Sequence, residues 1–428
     1  MVMSKMSDAR KGFLTIVGAT GLAQVIGLGG LPIISRLYPP AEFGLFAVVN
    51  AAALPLAALA SLRYEMAVPL PKQERESRAV ASLGLRSAAI FGAACTALAV
   101  IASLAIPGWW VGGWLLTWVP VIAGLMAAFA VLNQVAVRHR AYSAIARRNV
   151  LMAISVVSFQ ILAGIAGAGP HGLAAGLAAG QLVGVVSLWW SLKPHFAGPG
   201  VPRSERKEAW QAYRRFPLVL APAGVVNVLG LSAPLLLAAA LYGDRVSGLL
   251  GMTQRVLTIP VTLVGLALAQ VYIGEFARAK REGSADLRRM FVRTSKRLGC
   301  VAVVAVVVVY LASPHAFPLV LGEEWARSGQ YATALAVAMG AQLCVSPLSQ
   351  TVIVMGRPGM QAAWDISRLI LCSGSIVLAS WWGWDDMAAV TLFGAMMALT
   401  YAVGWWLSWW TVTHPLPENP LESGGPSH

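Results

Sequence analysis

The run Leu37-Tyr38-Pro39-Pro40-Ala41-Glu42-Phe43-Gly44-Leu45 returns in outline as Leu241-Tyr242-Gly243-Asp244-Arg245-Val246-Ser247-Gly248-Leu249. Leu-Tyr and Gly-Leu hold the same places in both runs, 204 residues apart in a chain of 428. Each run follows an apolar stretch that opens with Phe (Phe13, Phe216) and precedes a second apolar stretch that ends in a charged segment. The chain therefore reads as two copies of one unit.

Composition says what kind of unit it is. Charged residues make up 12% of the chain and hydrophobic ones 57%, against about 25% and 45–50% in a soluble domain. Apolar windows of about 20 residues, enough to cross about 30 Å of hydrocarbon at 1.5 Å per residue, recur along its length. Twelve are expected, at 12–35, 42–69, 79–106, 114–137, 149–168, 171–192, 216–241, 247–274, 291–313, 329–355, 363–382 and 387–411. The first is too long for a signal-peptide core, and its exit, Ile34 to Pro40, offers no small-residue cleavage site. The longest connections, near 193–215 and 275–290, leave no room for a soluble domain.

A formal charge of +14 invites a nucleic-acid reading, but the cations alternate by loop instead of gathering on one face or tail. With the N-terminus in the cytoplasm, 27 of the 32 basic residues fall in inward-facing segments and only Arg36, Arg245 and Arg327 face outward. That bias is the positive-inside pattern of a single topology, so orientation accounts for the charge and no nucleic-acid partner is expected. Both termini are then cytoplasmic, and 413–428 reads as a disordered cytoplasmic tail. Cys95, Cys300, Cys344 and Cys372 lie in apolar spans as small hydrophobes. No metal-ligand spacing, Ser/His/Asp set or phosphate loop is present.

Six spans is an even number of crossings, so both copies start on the same side and are related by a pseudo-two-fold axis along the membrane normal. The expected fold is an all-α integral membrane protein of about 12 helices in two six-helix lobes, 1–200 and 201–412. This parallel-repeat plan occurs in secondary transporters, with the substrate path between the lobes. Small residues from Gly164 to Gly180 suit close helix packing. Prolines at 32, 55, 120, 217, 222, 234, 260 and 347 favour kinks.

Two sets of residues carry a family resemblance. The first is Leu31-Pro32, Ser35-Arg36-Leu37-Tyr38, Glu42 to Phe46, and Leu62-Arg63-Tyr64-Glu65-Met66-Ala67 before Pro69. The second is Phe216-Pro217, Asn227, Pro234, Gly248-Leu249, Gln254-Arg255-Val256-Leu257 with Pro260, and Ala269-Gln270-Val271-Tyr272. Leu321 to Trp325, followed by Gly329-Gln330-Tyr331, looks like a short outer loop before a tenth helix. In order and spacing the chain resembles the O-antigen and polysaccharide flippases of the multidrug/oligosaccharidyl-lipid/polysaccharide exporter superfamily, over most of its length to about residue 360. The resemblance implies translocation of an undecaprenyl-diphosphate-linked glycan across a bacterial inner membrane. Its partners would be that lipid-linked glycan, membrane lipids, and the glycan polymerase and export machinery. Relatives that flip the peptidoglycan precursor usually have fourteen spans, and two more cannot be found here.

Apart from the cations counted with the inward-facing segments, Arg148 and Arg368 among them, only Arg63 and Arg255 fall inside the expected spans, with Glu65 beside the first. Such residues are costly in hydrocarbon and face a cavity or a partner. Arg255 lies roughly 12 Å from the outer end of its span. At the repeat offset the counterparts of Arg255 and Arg63 are Ala51 and Ala267, so the repeated fold does not require either charge. A guanidinium stays protonated and donates paired hydrogen bonds, which suits a diphosphate. Arg255 and Arg63 are therefore the candidate headgroup ligands. Helix–helix hydrogen bonding is the competing role for Arg255, and snorkelling or pairing with Glu65 for Arg63. Glu65 is the candidate for coupling to a proton or Na+. No other cofactor is expected. Gln24, Asn50, Asn133, Asn227, Gln254 and Gln270 are candidate cavity-lining amides, and interhelical bonding is their alternative. Asp365 and Arg368 read as structural groups at the start of span eleven. The paired tryptophans, such as Trp189-Trp190 and Trp405-Trp406, read as interfacial anchors.

The expected function is a flippase and not an enzyme. A drug or small-solute exporter of the same superfamily is the alternative. A membrane glycan polymerase or glycosyltransferase, the rival of another class, would carry a large outer loop with catalytic carboxylates. Here Glu323-Glu324 and Asp385-Asp386 are the only acidic pairs in the outer loops.

Overall fold

The computed structural model describes residues 2–105, 113–196, 200–281 and 286–414, with backbone alone for 2–14, 113 and a set of positions between 260 and 281. Among the described residues there are helices and turns and no strand. The helices are α1 (Val2–Leu37), α2 (Pro40–Ala60), α3 (Tyr64–Ala67), α4 (Glu74–Ala105), α5 (Trp118–Arg138), α6 (Tyr142–Ile165), α7 (Gly169–Phe196), α8 (Arg203–Ala212), α9 (Ala221–Tyr242), α10 (Asp244–Arg281), α11 (Leu287–Leu321), α12 (Ala326–Val354), α13 (Pro358–Trp381) and α14 (Asp386–Thr413). Each expected span has its own long helix, although the one at 42–69 runs past the end of α2. Eleven segments among the described residues are long and apolar enough to cross a bilayer. The remaining expected span, 247–274, lies on the 38-residue α10, whose side chains are described only in part.

The outer surface is that of a protein in lipid. Ile90, Leu98, Ile165, Leu311 and Leu319 are all more than half exposed, a placement that hydrocarbon accepts and water does not. This is a multi-pass membrane protein. The interior is built from smaller side chains with a few large ones, among them Tyr38, Phe43, Trp325 and Tyr331.

The duplication is visible in the packing. In the first set of six long helices, α1 packs on α6, α6 on α7, α4 on α5, and α5 on both α2 and α7. In the second, α9 packs on α13, α13 on α14, α11 on α12, and α12 on both α10 and α14. Taken in chain order the two sets of pairs are the same. The sets meet chiefly through α2, which lies against both α9 and α10, whereas α1 touches α10 only slightly.

At the shared end of α2 and α10 the repeat closes on itself. A Cβ built on Gly44 would sit 1.8 Å from the carbonyl oxygen of Asp244, and one on Gly248 would sit 1.8 Å from that of Pro40. At the 204-residue offset Pro40 corresponds to Asp244 and Gly44 to Gly248, so the contact is reciprocal and a local two-fold axis passes through it. Trp325 fastens the same end. It stands on the 3-10 turn Glu323–Trp325, donates its indole N–H to the Ser35 carbonyl at 3.0 Å, and meets the Phe43 ring edge-on at 5.6 Å.

Small residues also set the distance between α6 and α7. Gly176, Gly180 and Gly184 recur every fourth position on α7 and receive Gln160, Val156 and Met152 of α6. Without a hydrophobic drive between helices in lipid, such close packing is the main source of cohesion. Gly180→Ala would place a methyl 2.1 Å from Val156 Cγ2 and is expected to destabilise the protein by about 1–3 kcal/mol. Gly184→Ala, with its nearest neighbour at 3.5 Å, is expected to stay within about 0.5 kcal/mol. Thermal unfolding of the two purified variants side by side checks the contrast.

Three sequence expectations need correction. The span at 42–69 is not one helix: α2 stops at Ala60, and Leu62 and Arg63 adopt positive φ of 51° and 58° before α3. Ser61 explains the stop, since its hydroxyl donates to the Ala57 carbonyl at 3.4 Å and accepts the Arg63 N–H at 3.4 Å, offering the backbone a local alternative to the helix. Arg148 and Arg368, counted with the loops, lie inside α6 and α13 and are 7% and 5% exposed. Asp365 is not at a helix start, because α13 begins at Pro358 and places it two turns in. Trp109-Trp110, another of the paired tryptophans expected at an interface, and the tail from 415 lie outside the described residues.

Candidate functional site

A cavity of about 480 Å³ lies between the two sets of helices. Its polar lining comes from Gln24 on α1, Asn50 on α2, Gln160 on α6, Ser232 on α9, and Gln254, Arg255 and Thr258 on α10. Phe43 and Phe46 contribute aromatic walls. Four of the candidate residues, Gln24, Asn50, Gln254 and Arg255, are thus brought together from three helices and both lobes.

Among the described residues, Arg255 is the only cation in that lining. Gly248 fixes its depth: seven residues further along α10, it sits about 10 Å below the glycine contact. Its guanidinium carbon is 6.0 Å from the centre of the Phe43 ring, a cation–π approach. Among the described residues it makes no ion pair. A permanent cation at this depth, held over an aromatic face and lined by amides, can accept an anionic oxygen without first breaking an internal salt bridge.

The other candidates lie elsewhere. Arg63 and Glu65 are not part of the cavity lining. They sit at the break between α2 and α3, where Arg63 Nη1 is 3.4 Å from Glu65 Oε1. From there Arg63 reaches the first turn of α9 and lies flat on Gly224, where an added Cβ would come within 2.3 Å of its Nε and Nη2. Arg63 therefore joins the two lobes at the opposite end from Gly44 and Gly248. Glu65 keeps one buried oxygen without a hydrogen-bond partner among the described residues. Asn133 is engaged in the first lobe, accepting from Arg148 Nη2 at 2.9 Å. The backbone carbonyl of Asn227 accepts from Arg368 Nη2 at 3.4 Å. Gln270 has its side chain outside the described residues.

Sequence reasoning missed Gln160, Ser232 and Arg148. Gln160 is fully buried and donates to the Leu173 carbonyl at 3.0 Å, leaving its own oxygen unpaired. Arg148 stacks over Phe129 at 4.0 Å. Its doublet with Arg147 reads as a loop, yet Ile145, Arg148 and Met152 fall at helical spacing on one face. That periodicity was the available signal.

The Asp385-Asp386 pair is taken up structurally, whereas Glu323 and Glu324 are exposed. Asp386 receives Arg327 at 2.8 and 3.0 Å and the Tyr331 hydroxyl, and Asp385 caps α14 by accepting from the Ala388 N–H at 2.9 Å.

A family model described as polysaccharide biosynthesis protein matches residues 33–330. No curated protein matches the chain. Among solved structures, the chain is similar to the lipid II flippase MurJ in an inward closed conformation, at TM-score 0.72 and 8% identity, covering 94% of this chain and 88% of that one. It is similar to a MOP superfamily transporter from Pyrococcus furiosus at TM-score 0.63 and 14% identity, covering 94% and 96%. A multidrug resistance MATE family transporter in an inward-facing conformation gives TM-score 0.61 and 15% identity, covering 93% and 94%. At such identities the likeness establishes a shared fold.

Proposed function

The chain belongs to the polysaccharide biosynthesis protein family matched across residues 33–330, and on that premise we propose that it is a flippase for an undecaprenyl-diphosphate-linked oligosaccharide, such as an O-antigen, capsule or exopolysaccharide unit. It moves this substrate across the bacterial inner membrane by alternating access of the two lobes, 1–200 and 201–412, with both termini in the cytoplasm. The observation that carries the reading is the cavity in which, among the described residues, Arg255 is the one cation, set among hydrogen-bonding amides. The guanidinium neutralises the diphosphate, the amides of Gln24, Asn50 and Gln254 exchange hydrogen bonds with sugar hydroxyls, and the lipid tail stays in the bilayer. Arg63 holds the lobes together on Gly224 instead of serving as a headgroup ligand in this conformation. Glu65, with its unpaired buried oxygen, is the group proposed to take up a coupling proton or Na+. A glycan polymerase and export machinery would receive the product.

A drug or solute exporter is the second reading, favoured by the fold shared with multidrug transporters and by the Phe43 and Phe46 walls. Arg255 opposes cationic drugs in that role. Accumulation of a lipid-linked glycan on deletion of the protein separates the readings. A polymerase or transferase is less well supported, since the outer acidic residues Asp385 and Asp386 are engaged in capping and ion pairing.

The direct test replaces Arg255 by Lys, Gln and Ala and measures glycan export at equal protein level. A charge-assisted hydrogen bond contributes about 1.5–3 kcal/mol, so Gln and Ala are expected to lose export about tenfold or more, with Lys intermediate. Full export by Arg255→Gln would sink the charge role.

A further inference from the structure

The N-terminal part of α11 carries a stripe of cations that transport between the lobes does not use. Arg288, Arg289, Arg293, Lys296 and Arg297 are all exposed and, with Val292, line a groove of about 630 Å³. They cover about 14 Å of helix. The opposite side of the same turns is buried, with Phe291 and Leu298 at 0% exposure. Arg289 pairs with Asp286 at 3.2 Å, and the other four make no ion pair among the described residues.

The direction of the stripe identifies what it meets. Seven residues make nearly two helical turns, with a drift of only about 20°, so heptad rows stay on one face. Arg289 and Lys296 lead to Val303 and Tyr310, and Arg297 leads to Val304 and Leu311. Val303, Val304, Tyr310 and Leu311 are 57–66% exposed and form part of the lipid-facing surface. The cations therefore continue the hydrocarbon-facing side of α11 beyond its apolar part. At 35 residues, α11 is about 52 Å long and outreaches a core of about 30 Å. The stripe lies where that face passes through the headgroup layer.

We propose that this stripe is a binding site for anionic phospholipids of the leaflet it faces, the cytoplasmic one by the charge-derived orientation. Phosphate oxygens occupy the groove between the two cation rows, and the acyl chains lie along the valine-rich face below. Clustered Lys and Arg at the cytoplasmic end of a membrane helix attract such lipids, and guanidinium groups bind their phosphates in paired hydrogen bonds. This goes beyond the flippase reading and does not depend on the transported substrate.

Native mass spectrometry of the full-length, delipidated protein with phosphatidylglycerol or phosphatidylcholine tests it. The wild type is expected to retain phosphatidylglycerol at least tenfold better than phosphatidylcholine. Arg288→Gln/Arg289→Gln/Arg293→Gln/Lys296→Gln/Arg297→Gln is expected to lose that preference, and the milder Arg293→Gln/Lys296→Gln, which keeps three cations for membrane insertion, to lose at least threefold. Replacing the four arginines by lysine is expected to retain it within threefold. Neutralising Arg203, Arg206 and Lys207 on α8 is expected to change it less than twofold. An unchanged preference in the two-site variant, an equal loss from the α8 set, or no preference in the wild type overturns the proposal.

Discussion

Gly248→Val is expected to leave less than a tenth of wild-type glycan export and to lower the thermal stability of the purified protein. The new Cβ would stand 1.8 Å from the Pro40 carbonyl oxygen and 2.9 Å from the Gly44 nitrogen. Both are backbone atoms on a helix, so no side chain can swing away. The lobes must part at this end by more than 1 Å, and overpacking of this kind costs about 1–3 kcal/mol or more. Gly44→Val meets the Asp244 carbonyl in the same way. Because both variants open one seam, the double variant is expected to lose less stability than the two single losses combined. Unfolding midpoints and export of the three variants decide it. Wild-type behaviour of Gly248→Val, or strict additivity, would show that the seam does not hold the lobes.

The second large effect lies within the second lobe. Arg368 Nη2 is 3.1 Å from Asp365 Oδ1, and its guanidinium carbon is 4.9 Å from the centre of the Trp364 ring. With Asp365 at 8% and Arg368 at 5% exposure, neither charge has water to fall back on. Asp365→Asn or Arg368→Gln alone strands the other charge and is expected to cost about 3–5 kcal/mol. Asp365→Asn/Arg368→Gln removes both charges and is expected to recover at least half of that loss. Single variants within 1 kcal/mol of wild type would mean that the pair is solvated in the membrane-embedded protein.

The spans, their number and the parity of the repeat could be read from the sequence because hydrocarbon thickness and the absence of water act on every residue of a crossing helix. Breaks inside a span could not. Ser61 to Arg63 are embedded in an apolar window, and the helix stops there through a hydroxyl bonded to two backbone groups, a signal that hydropathy averages away. The cavity was half readable. Arg255 stood out as a charge in an apolar run, and Gln24, Asn50 and Gln254 as amides. Asn133 looked the same, yet its side-chain oxygen accepts from Arg148 inside the first lobe. Which amide faces its own lobe and which faces the gap depends on helix rotation, and low-contrast Ala- and Gly-rich spans do not record it. Arg63 illustrates the same limit, since its contact with Gly224 joins residues 161 positions apart.

The reciprocal contact of Gly44 and Gly248 also bears on the history of the chain. After a duplication each copy is ordinarily free to drift, because its twin preserves the original. Here each glycine makes room for a carbonyl of the other copy, so neither position has a spare. The halves differ at Ala51 and Arg255 and at Arg63 and Ala267, positions free of this constraint, while Gly44 and Gly248 are the same residue on both sides of the contact.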